Sequence, residues 1–137
     1  MQDLTPGLDP RDYGRFKWRT LADATYGHGL WEPLWSANVD FPDLTQEQRE
    51  AVVVNVLLEL VNEDLIRFVR RPLIGQWPQV ELAELGVVLD RHEIEETLQQ
   101  TWWRAVPLER PPGDASIWLE ATAKGAGQLN SLRPGRF

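Results

Sequence analysis

Apolar and polar positions recur with the period of an α-helix over residues 46–63. Gln48, Asn55, Glu59 and Asn62 return at helical spacing, while Val52, Val53, Val56, Leu57, Leu60 and Val61 fill the other faces. Ahead of them, Thr45-Gln46-Glu47-Gln48 has the capping-box pattern, with Thr45 accepting from the first turn and Gln48 reaching back to the cap. Val52-Val53-Val54 favours strand locally because β-branched side chains are stiff. The cap and the length of the polar stripe outweigh that preference, and the pattern predicts a central core helix.

Weaker patterns flank it. Asp9-Pro10 suits a helix start, capping residue first and proline at the first helical position, and predicts a helix over 11–25 that offers Tyr13, Phe16, Trp18 and Leu21. Gly27-His28-Gly29 reads as its stop. Residues 30–34 read as a helical turn with Trp31 and Trp35 on one side, and 38–43 as a loop around Phe41-Pro42-Asp43. Beyond the core helix, β-branched and aromatic content predicts a strand over 65–70. A proline- and glycine-marked loop covers 72–78. Short helices are expected over 80–85 and, capped by Asp90, over 90–101. Strands over 102–106 and 116–121 flank a long proline-rich tip at 109–114, and Thr122 caps a last helix interrupted by Gly125 and Gly127.

The segment Ile117-Trp118-Leu119-Glu120-Ala121-Thr122-Ala123-Lys124-Gly125 resembles the last wing strand and the Leu-Thr-x-x-Gly turn of bacterial winged helix-turn-helix regulators, with Ala121 before the threonine. The resemblance spans about 46–132. It implies an α+β fold with a winged-helix-like core of helix, short strand, two helices, β-hairpin wing and C-terminal helix. Residues 44–137 would form that core, and 1–43 a helical extension packed on it. Within that family the helix at 90–101 would enter the DNA major groove.

Charge changes this picture. The chain carries 21 acidic and 14 basic residues, net -7, and 13 of the acids against 5 bases fall within 40–100. Asp90, Glu93, Glu95 and Glu96 oppose Arg91 alone on the helix that would read DNA, so it would meet phosphates with like charge. The tip at 109–114 adds two acids and one arginine, which gives no phosphate grip. Arg67, Arg70, Arg71 and Arg91 are the remaining candidates for DNA contact. With Arg11, Arg15, Lys17 and Arg19, the first three form a basic set for which pairing with nearby acids is favoured.

Candidate chemistry is sparse. The 137 residues contain no cysteine, which removes disulfides, thiol nucleophiles, zinc fingers and iron–sulfur sites. His92, Glu95 and Glu96 share helical spacing, but a zinc site wants more nitrogen ligands and a solvated acidic face is the plainer reading. Lys124-Gly125-Ala126-Gly127 lacks phosphate-loop spacing, and no serine sits in a Gly-x-Ser-x-Gly setting. Apolar runs are too short for a membrane span and no signal pattern opens the chain, so a cytoplasmic protein without a membrane role is expected.

Seven tryptophans are available for core or interface use. The sequence therefore predicts a non-enzymatic, cofactor-free bacterial protein-binding domain of immunity, antitoxin or adaptor type that contacts a basic protein. Asp90, Glu93, Glu95, Glu96, Trp31, Trp35 and Trp103 form its expected partner surface. The alternative is a winged-helix transcriptional regulator acting as a homodimer through its N-terminal region.

Overall fold

The computed structural model describes residues 8–70, 87–100, 103 and 117–132. Within them, five helices pack with a four-stranded antiparallel sheet, an α+β fold. The expected helix at 80–85, the tip at 109–114 and, Trp103 apart, the strand at 102–106 lie outside the described residues.

Helix α1 (Pro10–Ala24) starts as its cap requires: the Asp9 carboxylate accepts from the Arg11 amide at 2.8 Å, with Pro10 in the first turn. Phe16, Leu21 and Ala24 face the core. Gly27, at φ +76°, turns the chain out of the helix, a conformation that costs glycine little. The next two residues depart from the sequence reading. His28–Gly29 does not merely stop the helix but forms strand β1, pairing His28 with Leu119 and Gly29 with Trp118.

Helix α2 (Glu32–Asp40) also corrects the expectation, extending through residues 38–40 that read as loop. Leu34, Ala37 and Phe41 are buried at helical spacing, and the Phe41 amide closes on the Ala37 carbonyl at 2.9 Å. Packing against α3 thus overrides the local turn preference of Asn38 and Asp40. Arg49 then ties the connection by donating to the Phe41 and Pro42 carbonyls.

Helix α3 (Gln46–Asn62) is the core spine, with its capping box formed and Val52, Val53, Val56, Leu57 and Leu60 fully buried. It ends in a Schellman turn. The Leu65 amide reaches the Leu60 carbonyl, the Asp64 amide reaches Val61, and Asp64 holds φ 60°. Strand β2 (Ile66–Arg70) follows.

The remaining elements are β3 (Val87–Val88), α4 (Arg91–Gln99), β4 (Ile117–Ala121) and α5 (Ala123–Leu132). The sheet order is β1-β4-β2-β3. Register places Ile66, Phe68, Leu119 and Ile117 on one face, buried against the helices, and Arg67, Val69, Trp118 and Glu120 on the other.

The Thr-x-x-Gly segment has a physical role here. Thr122 caps α5 through its hydroxyl, accepting from the Gly125 amide at 2.9 Å, and the same hydroxyl donates to the Asp64 carbonyl at 2.6 Å. A Cβ at Gly125 would collide with the Leu65 carbonyl. Glycine is what lets α5 start directly against the Schellman turn. One hydrophobic cluster unites Phe16, Leu21, Leu30 and Leu34 from the N-terminal region with Val52, Phe68, Leu98 and Leu119.

Candidate functional site

Helix α4 carries the expected acidic face, and each of its carboxylates has local work. The Asp90 carboxylate accepts from the Glu93 amide at 2.8 Å, and the Glu93 carboxylate accepts from the Asp90 amide at 3.0 Å, completing a second capping box. Glu95 takes the Arg91 guanidinium at 2.9 Å, and Glu96 lies 2.6 Å from His92 Nε2. Arg91 also bonds Asn62 at the end of α3. All of these side chains are exposed, where ion pairs contribute about 0–1 kcal/mol. The helix therefore keeps its acidic excess toward solvent, while Ile94, Thr97 and Leu98 hold it to the core.

Two of the three tryptophans expected at a partner surface are core residues, which corrects that expectation. Trp103 is fully buried. Trp31, 7% exposed, packs edge-on against Trp118 with ring centroids 5.8 Å apart, its ring lying where a Cβ on Gly29 would stand. Trp35 is different: it is 39% exposed, and Val39, one helical turn further, is 76% exposed. Trp77 and Trp102 lie outside the described residues.

Of the candidate DNA-contacting arginines that are described, Arg67 and Arg70 do not converge. Arg67 and Arg70 are three apart on a strand, so they point to opposite faces of the sheet. Arg67 pairs at 3.1 Å with Glu120, its cross-strand neighbour. Arg91 is engaged by Glu95 and Asn62, and Arg71 lies outside the described residues. Elsewhere Lys17 bridges Glu59 and Glu63 at 3.1 and 2.7 Å, and Arg19 holds both Asp40 oxygens. Arg15 pairs with Asp12, and Lys124 donates to the Glu63 carbonyl. Of the seven basic residues for which pairing is favoured in the sequence, Arg15, Lys17, Arg19 and Arg67 are paired internally.

Titration directions follow the packing. Burial and the hydrogen bond to Glu59 hold the Tyr13 hydroxyl well above its ordinary value. Burial lowers Lys17, but its bonds to Glu63 and Glu59 outweigh that and leave it raised. Sequence reasoning missed a second cluster, where α1 meets α2. Asp23 is raised by desolvation, with Arg19 opposing. Glu32 is also raised by desolvation, opposed by the Gly29 amide that it accepts from at 2.5 Å and reinforced by the Asp23 carboxylate. Beside Gly29, His28 is 6% exposed, and desolvation lowers it to about 4. Its Nε2 has no hydrogen-bond partner among the described residues.

Among the described residues no three His, Asp or Glu side chains converge as metal ligands, and no helix is long and apolar enough to cross a membrane. Comparison with protein-family models, with curated proteins and with solved structures finds no match.

Proposed function

We propose that this chain is a non-enzymatic, acidic protein-binding domain of immunity, antitoxin or adaptor type, acting in the cytoplasm on a basic protein. One observation carries the reading. Several described basic side chains are engaged by the protein's own carboxylates and carbonyls, whereas Asp43 and Glu47 are exposed and the α4 face, where Asp90, Glu93, Glu95 and Glu96 stand against Arg91 and His92, keeps an acidic excess toward solvent. Such a surface attracts cations and raises the encounter rate with a basic protein.

The test is affinity capture on the immobilised chain at low and physiological salt, followed by titration of each retained protein in purified form. A basic protein whose association weakens with salt is expected. Retention of acidic or neutral proteins alone would overturn the reading.

We also read α3, β2, α4, β4 and α5 as a winged-helix-like unit. Supporting this are the antiparallel pairing of β2 with β4 and the threonine-capped, glycine-dependent start of α5. The edge of β4 away from β2 is occupied at 117–119 by residues 28–30, so any wing strand must share that edge with β1. The DNA-binding alternative draws its support from this order alone. The acidic α4 and the opposed directions of Arg67 and Arg70 weigh against it.

A further inference from the structure

We draw no further inference here: the strongest candidate, the exposed apolar patch that Trp35 and Val39 form on α2, carries nothing because nothing in the structure shows what covers it.

Discussion

Acidification should unload stability through a single side chain, His28. It is 6% exposed, paired into the sheet beside Leu119, and lowered by desolvation from 6.5 to about 4. A histidine whose folded value is depressed is neutral in the fold and takes its proton first in the unfolded chain. The unfolded state therefore binds more protons between the two values, and stability rises with pH across that window. Stability is complete above about pH 6.5, falls as the pH drops toward 4, and levels off below. At about 1.4 kcal/mol per pH unit the full loss is about 3 kcal/mol, a large fraction of a typical domain's 5–15 kcal/mol.

Asp23 and Glu32 act with the opposite sign. Their carboxyls are raised in the fold, so protonation relieves a penalty, and they return stability as the pH falls through their own range. His28→Gln removes only the histidine contribution. Urea unfolding of both proteins at intervals from pH 4 to 8 should show the natural chain losing about 2–3 kcal/mol more than the variant over that window. Parallel profiles, or a nuclear magnetic resonance titration placing His28 near 6.5, would refute the reasoning.

Other outcomes follow from the packing. Leu57→Ala should cost about 2–5 kcal/mol by urea unfolding, because a fully buried position on the core helix leaves a cavity; a loss under about 1 kcal/mol would show the facing of α3 to be wrong. Gly29→Ala places a methyl in the Trp31 ring and should destabilise by about 1–3 kcal/mol with a change in tryptophan fluorescence. Duplex DNA should not bind at physiological salt, and Arg67→Ala should change nothing in a fluorescence-anisotropy titration, since Arg67 is held by Glu120. Glu93→Lys with Glu96→Lys should slow association with a basic protein and flatten its salt dependence in stopped-flow measurements.

Those parts of the fold governed by local chemistry were legible in the sequence. The capping box at Thr45 and Gln48, the Asp9-Pro10 start, the Asp90 cap and the strand at 65–70 each follow from neighbouring residues, and each formed. Strand β1 could not be read this way. His28-Gly29 has no periodicity of its own and becomes a strand only through pairing with Trp118 and Leu119 far along the chain. The helical state of Asn38 and Asp40 likewise comes from burial of Ala37 and Phe41 against α3. For the tryptophans, sequence supplied the count but not the facing: Gly29 makes room for Trp31, and that close approach exists only once β1 has joined the sheet. The carboxylate pair Asp23 and Glu32 was hidden for a related reason, since its members sit on separate helices. The separation of Arg67 from Arg70, by contrast, follows from strand period alone and depends on no long-range contact.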